Sequence, residues 1–217
     1  MHHPGSSSDA PVPRRRFFAP KPPEALYSEA NIITLIRLVV SLGFFILAIR
    51  RQNQLYNYIG LAVHLLGDAI DGWCARSFKQ ETLLGAEIDI IADRVESLFF
   101  FVNFIHFHPG LAIPSIVYIL NFAFVDFYLS YQFVKYDIIS INYFYKVDQR
   151  VFSLNFSPPA KFVNSTVVIL MLIFLPKLWI ATAVLAAGLI VVKLHSIGRL
   201  WRKRRETASG SAVPAAV

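Results

Sequence analysis

Four aspartates and two glycines stand at helical spacing between residues 68 and 93. The run Gly67-Asp68-Ala69-Ile70-Asp71-Gly72-Trp73-Cys74-Ala75-Arg76 is followed, eight residues on, by Gly85, Asp89 and Asp93. As a pattern it reads DxxDGxxAR, a gap of eight, then GxxxDxxxD. On a helix Asp68 and Asp71 share one face, which Gly72 and Ala75 continue. Gly85, Asp89 and Asp93 form a second stripe at i, i+4, i+8. A short polar connection between two such helices makes them antiparallel neighbours, so the carboxylates can converge. Glycine at 72 and 85 leaves room for a ligand or for close helix contact. Clustered carboxylate oxygens suit hard divalent cations. Two bridged Mg²⁺ or Mn²⁺ ions suit a diphosphate substrate, and Arg76 can face its phosphates.

The elements that hold these residues are apolar. Of 217 residues, 55% are hydrophobic and only 16% charged, against about 25% charged in an average soluble domain. Mean hydropathy is +0.51, and the apolar residues come in long runs. These values exclude a disordered or collagen-like chain and disfavour a soluble domain. The expected fold is all-α: a polytopic integral membrane protein of six transmembrane helices. The segments run from about Asn31 to Ile49, Leu55 to Arg76, Leu83 to Phe107, Leu111 to Val134, Lys161 to Leu175 and Leu178 to Leu200. A polar-aromatic stretch, Lys135 to Asn155, separates the fourth from the fifth.

Residues 1–23 carry six of the twelve prolines and read as a disordered basic tail. Phe17, Phe18 and the segment Glu24 to Tyr27 are expected along the membrane surface. Residues 24–200 form the membrane domain and 201–217 a basic C-terminal tail. The lone Cys74 excludes an intrachain disulfide. The formal charge of +7 lies in tails and loops. It therefore points to orientation and anionic headgroups rather than nucleic acid. Lys and Arg are concentrated on the side shared by both termini, which places the termini and the acidic site in the cytosol.

A carboxylate at the middle of a bilayer costs about 2.5–3.5 kcal/mol, so four would cost roughly 10–14 kcal/mol before mutual repulsion. The site must be wet or near the interface, and cations must neutralise it. Acids in ordinary solvated loops are one alternative, but these segments are too apolar. The ion path of a cation transporter explains acids on helices but not Gly, Ala and Arg at set offsets. An intramembrane prenyltransferase also grips a diphosphate through aspartates, with different spacing.

The eight positions Asp68, Asp71, Gly72, Ala75, Arg76, Gly85, Asp89 and Asp93 resemble the signature of the CDP-alcohol phosphotransferases (phosphatidyltransferases). These are integral membrane enzymes of phospholipid headgroup synthesis. The opening Asn31-Ile32-Ile33-Thr34-Leu35-Ile36-Arg37 is similar to that family's Asn-x-x-Thr-x-x-Arg, although Ala30 stands where a proline often precedes and Leu84 where an aromatic often precedes Gly85. The resemblance implies a six-helix fold over about residues 24 to 200. It implies that Asp68, Asp71 and Asp89 ligate Mg²⁺ or Mn²⁺, with two ions expected. Asp93 would complete the metal cluster and act as general base. Asn31, Thr34, Gly72, Ala75, Arg76 and Gly85 would bind the CDP part of CDP-diacylglycerol. The expected reaction transfers a phosphatidyl group to a small polar alcohol at the inner cell membrane and releases CMP. Dimers are usual in that family.

The acceptor is less legible. Arg150 and Lys161, the latter in Ser157-Pro158-Pro159-Ala160-Lys161, could form a cationic pocket. Proline-led helix capping and a snorkelling lysine explain the same residues. The stretch around Lys161 leans toward glycerol 3-phosphate, and Asp89-Ile90-Ile91-Ala92-Asp93-Arg94 leans toward inositol or its phosphate. Among other polar residues, His64 and Lys193 read as structural, Glu87 and Glu96 as support or solvent-facing, and Asp126 as a candidate by virtue of burial.

Overall fold

Helix boundaries follow from local capping chemistry. The computed structural model describes residues 28–136 and 138–210. The expected tail 1–23 and surface segment Glu24 to Tyr27 lie outside the described residues. Helix α1 (Glu29–Arg50) starts where the Ser28 hydroxyl accepts from Asn31 N at 3.2 Å. It stops at a left-handed turn, with Gln52 at φ 49°. Helix α2 (Gln54–Ser77) is capped by Asn53, whose Oδ1 accepts from Leu55 N at 2.9 Å. Lys79, at φ 54°, turns the chain back. Helix α3 (Leu83–Phe107) begins with Thr82 Oγ1 accepting from Gly85 N at 2.9 Å. Its end precedes His108-Pro109, as proline demands.

The fourth rod, α4 (Pro109–Tyr136), contains a π-helical stretch over Asn121–Asp126. A 3₁₀ turn, Ile141–Lys146, leads to α5 (Gln149–Phe156). The pair α5 and α6 (Pro158–Phe174) is bent by 41° at the break. The last helix, α7 (Trp179–Gly210), carries the basic run Arg199 to Arg205 on its final turns. Among the described residues, counting the bent pair as one, six long helical rods thus stand where the apolar segments were expected. One difference is that helix begins well before Lys161. Asp148 caps α5 by accepting from Arg150 N at 3.0 Å and Val151 N at 3.1 Å. It also meets Arg199 of α7 at 2.8 Å. Burial works to raise its carboxyl, but the Val151 N–H and Arg199 hold it below the usual carboxylate range.

Helix is the only regular structure among the described residues. The rods Glu29–Arg50, Pro109–Tyr136 and Pro176–Glu206 are long and apolar enough to cross a membrane. The bent pair makes a fourth if counted as one span. The expected six spans are therefore matched in composition by three to four. At 24 and 25 residues α2 and α3 have the length. They carry the acidic motif, which removes them from that composition. Large apolar side chains point outward all round, among them Val39, Leu66, Phe124, Phe174, Val184 and Val191. In water so much exposed apolar surface would associate; against lipid it is matched.

Two cores hold the bundle. Phe45, Phe100, Phe101, Phe104, Tyr118 and Leu172 join α1, α3, α4 and α6. Ile90, Leu129, Phe133, Phe144, Phe156 and Leu200 join α3, α4, the 3₁₀ turn, α5 and α7 near the acidic end. Asp126 proves to be a crossing point of three helices. It pairs with Arg94 of α3 and with Lys193 of α7, the latter at 3.0 Å. The Arg94 guanidinium also lies 4.2 Å from the Phe122 ring centroid.

Two stability predictions follow from this packing. A Cβ on Gly60 would lie 2.5 Å from the buried Phe45 ring. Gly60→Ala should therefore cost about 1–3 kcal/mol, measured as a lower thermal unfolding midpoint in detergent; an unchanged midpoint would contradict the close α1–α2 approach. Asp126→Ala strips the fully buried Lys193 of its carboxylate and should cost about 3–5 kcal/mol. A midpoint within one or two degrees of the parent would rule out that anchor.

Candidate functional site

The site is built on Arg37. Asn31, Thr34 and Arg37 recur every three residues on one face of α1, and all three are buried. Gly67 makes room for the arginine. A Cβ there would lie 2.5 Å from both Cγ and Cδ of Arg37, so the stem of Arg37 lies against the α2 backbone. Its guanidinium then reaches acids from two helices. Nη1 is 3.4 Å from Asp68 Oδ1 and 3.2 Å from Asp71 Oδ2. Nη2 is 3.3 Å from Asp89 Oδ1 and 3.0 Å from Asp93 Oδ1. Nε lies 3.3 Å from Glu96 Oε2. The four signature aspartates thus converge from α2 and α3, as their spacing requires.

Their grouping is finer than a single cluster. Oxygens of Asp68, Asp71 and Asp89 lie within 4.8 Å of one another. Asp93 falls in a second group with His64 and Glu96. His64 Nδ1 is 2.8 Å from Glu96 Oε2 and 4.0 Å from Asp93 Oδ1. Ser41 Oγ donates to Glu96 Oε1 at 2.5 Å. Glu96 and His64, read as support or as structural, are therefore in direct contact with the acids. Glu87 is not: it accepts from Tyr131 OH at 3.2 Å, away from the cluster. The role of Arg37 was missed, although it ends the Asn-x-x-Thr-x-x-Arg opening. An arginine inside an apolar helix was the available signal.

Two cavities flank the acids. The first lies between α1, α2, α3 and residues 139–142. Asn31, Thr34, Gly72, Ala75, Arg76 and Gly85 all line it, together with Asp71 and Asp89. Thr34 Oγ1 donates to Asp71 Oδ2 at 2.9 Å. The bare Cα of Gly85 admits Asn31, since a Cβ would stand 2.8 Å from Asn31 Oδ1. At Gly72 a Cβ would meet the Arg76 guanidinium at 3.1 Å. Every residue expected on the nucleotide side is thus on one wall or another of this cleft.

The second cavity, between α2, α3, α4, α5 and α6, is lined by Asp68, Asp89, Asp93, Arg94 and Lys161 among others. Lys161 Nζ donates to Asn142 Oδ1 at 2.6 Å. Asp89 borders both cavities, Asp71 only the first and Asp93 only the second. Arg150 is not brought to Lys161. It lines a separate groove with Asp148, Arg199 and Lys203, because the Asp148 cap turns the first turn of α5 toward α7. Such an arrangement can hold two ligands at once, one on each side of an acidic partition.

The chain is similar in sequence to known proteins. Over 106 residues the chain is 28% identical to the CDP-diacylglycerol–glycerol-3-phosphate 3-phosphatidyltransferase of Cereibacter sphaeroides, covering 46% of this chain and 48% of that protein. It is 29% identical over 92 residues to the protein of the same name from Aquifex aeolicus, covering 42% and 50%. A short stretch of 30 residues is 53% identical to a probable CDP-diacylglycerol–inositol 3-phosphatidyltransferase 2 of Arabidopsis thaliana, 14% of this chain and 13% of that one. The chain thus spans about half the length, or less, of these curated relatives. No solved structure matches it significantly. The profile of one family, CDP-alcohol phosphatidyltransferase, matches residues 27–194. That match runs from the start of α1 well into α7, and the chain belongs to the CDP-alcohol phosphatidyltransferase family.

Proposed function

We propose that this protein transfers the phosphatidyl group of CDP-diacylglycerol to a small polar alcohol and releases CMP, in phospholipid synthesis. The observation that carries this reading is the pair of cavities meeting at Asp89. One is lined by the family's nucleotide-side residues and the other by Asp93 and Lys161. Donor and acceptor can therefore approach one phosphorus from opposite sides, the geometry of in-line displacement.

The residues present fit a divalent cation. Asp68, Asp71 and Asp89 offer oxygens within 4.8 Å of one another. Arg37 brings a single positive charge to five carboxylates. Asp68, Asp71, Asp89 and Asp93 would hold Mg²⁺ or Mn²⁺, most simply two ions, and the metal would supply charge neutralisation of the diphosphate and of the departing CMP.

The side chains do the rest. Asn31, Thr34, Gly72, Ala75, Arg76 and Gly85 seat the cytidine diphosphate, with Arg76 facing the phosphates. Lys161 orients the acceptor, while Asp93 accepts the proton of its hydroxyl. The freed oxygen attacks the lipid-bearing phosphorus. A new P–O bond forms as the bond to the CMP phosphate breaks, and the electron pair leaves on CMP. Lipid tails stay in the bilayer against the outward apolar faces. We place α2 and α3 across the membrane with the other rods, giving six spans, their charges paired with Arg37 rather than facing lipid. The ends that carry Arg76, Lys146 and Arg199 to Arg205 face the cytosol.

CMP release from CDP-diacylglycerol by the purified protein, screened over alcohols, tests the reading. Release should stop on chelation and return with Mg²⁺ or Mn²⁺. Asp71→Asn should lower kcat by roughly 10²-fold or more; full activity in that variant, or in the chelator, would refute the metal-held diphosphate. Lys161→Ala should raise the acceptor KM by about tenfold and leave the donor KM alone. An unmoved acceptor KM would remove Lys161 from the pocket.

A further inference from the structure

The cavity that holds Asp93 and Lys161 has a far wall that the transfer step leaves unused. Asn155 of α5 and Asn164 of α6 stand on it, on either side of the bend. They are only 3% and 7% exposed. Asn155 Nδ2 donates to Val151 O at 3.0 Å and to Ser196 Oγ at 2.8 Å. Those contacts set the direction of the amide and leave Oδ1 without a donor. Asn164 Nδ2 faces Asn155 O at 3.4 Å, and its Oδ1 is likewise without a donor. A buried oxygen with no proton to accept is costly, and natural sites complete such groups with a ligand or a water. Both oxygens accept protons and cannot supply them.

The charges on the same cavity point the same way. Arg94 is already paired with Asp126 and lies 3.7 Å from Asp93. Lys161 donates to Asn142 and, among the described residues, has no carboxylate within ion-pair distance. An anionic acceptor would thus meet one ammonium already bonded to Asn142, the carboxylate of the general base Asp93, and two amide oxygens. A phosphate dianion has no proton to give those oxygens, and glycerol 3-phosphate keeps only one hydroxyl beside the reacting one for the two of them. A polyol has several, and it carries no charge to be repelled.

Resting on the phosphatidyl-transfer reading, we propose that the acceptor is an uncharged polyol of the cyclitol or sugar-alcohol class. Its hydroxyls donate to Asn155 Oδ1 and Asn164 Oδ1 while another hydroxyl is presented to Asp93. Asn155 and Asn164 are then the residues that set acceptor specificity.

The test uses the full chain in lipid nanodiscs with CDP-diacylglycerol and Mg²⁺. CMP release is compared with myo-inositol, inositol 1-phosphate, glycerol 3-phosphate and serine. The expected result is the highest kcat/KM with myo-inositol. Asn164→Ala should raise the inositol KM by about tenfold without moving the donor KM. Asn164→Ser, which keeps an oxygen in reach, should recover part of it. Without turnover, inositol should raise the thermal midpoint of the parent protein more than that of Asn164→Ala. A preference for either phosphorylated acceptor or for serine overturns this inference alone, as does an unchanged inositol KM in a folded Asn164→Ala protein. CMP release with no acceptor at all overturns the transfer reading and the inference together.

Discussion

Five carboxylates around one guanidinium is the constraint on which the rest of this structure depends. Two carboxylates held near each other away from water repel strongly, and the repulsion grows as the dielectric falls. Arg37 is fully enclosed by its own helix and by α2 and α3, and it touches Asp68, Asp71, Asp89, Asp93 and Glu96 at 3.0–3.4 Å. It thereby ties three helices into one unit at their charged ends. Removing the arginine would leave the acids facing one another. Removing the acids would leave a buried cation, an equally expensive state. Gly67 belongs to the same device, since only a missing side chain allows the stem of Arg37 to lie so close to α2.

That device accounts for the uneven polarity of the bundle. Helices α1, α4 and α7 each contain a stretch apolar enough to cross a membrane, and α2 and α3 do not. The signature aspartates of α2 and α3, with Glu96, face Arg37, His64 and the two cavities. Side chains such as Leu65, Leu66, Ile70 and Trp73 cover the outside of α2. The proposed joining of a lipid to a water-soluble alcohol would need this division. Its polar chemistry must sit in a wet, charged interior while the protein surface remains compatible with acyl chains.

The second half of the chain answers a different demand. Asp126, Arg94 and Lys193 pin α3, α4 and α7 together, and the 41° break between α5 and α6 swings Asn155, Lys161 and Asn164 onto one cavity. The π-helical stretches of Asn121–Asp126, Phe152–Phe156 and Phe162–Val167 all lie next to that cavity. Wider helical turns re-aim side chains, and they recur at functional positions. The cavity beside Asp71 is thus made of regular helices with small residues at close contacts, and the cavity beside Asp93 of bent helices with polar side chains.

Much of this was legible in the residues themselves. Spacing of three and four along α2 and α3 placed the aspartates on facing stripes, because helical geometry is local. The apolar runs located the first four rods to within a few residues, while the fifth begins earlier than Lys161 and the last runs on to Gly210. Glu96 and His64 continue the same stripes one turn beyond the signature. Their part was harder to read, since a buried pair and a solvent-facing pair have the same spacing. Arg37 lies more than thirty residues from its first partner, Asp68, and nothing local in α1 says which carboxylates it will meet. Arg150 and Lys161 looked like one cationic pair, yet the Asp148 cap sends the first toward α7 and leaves the second above Asp93. Local order, membrane compatibility and the identity of the acidic motif were determined by the sequence alone. Which charges pair, and where the two cavities meet, was decided by tertiary packing, because burial and long-range contact set the partners of a charge.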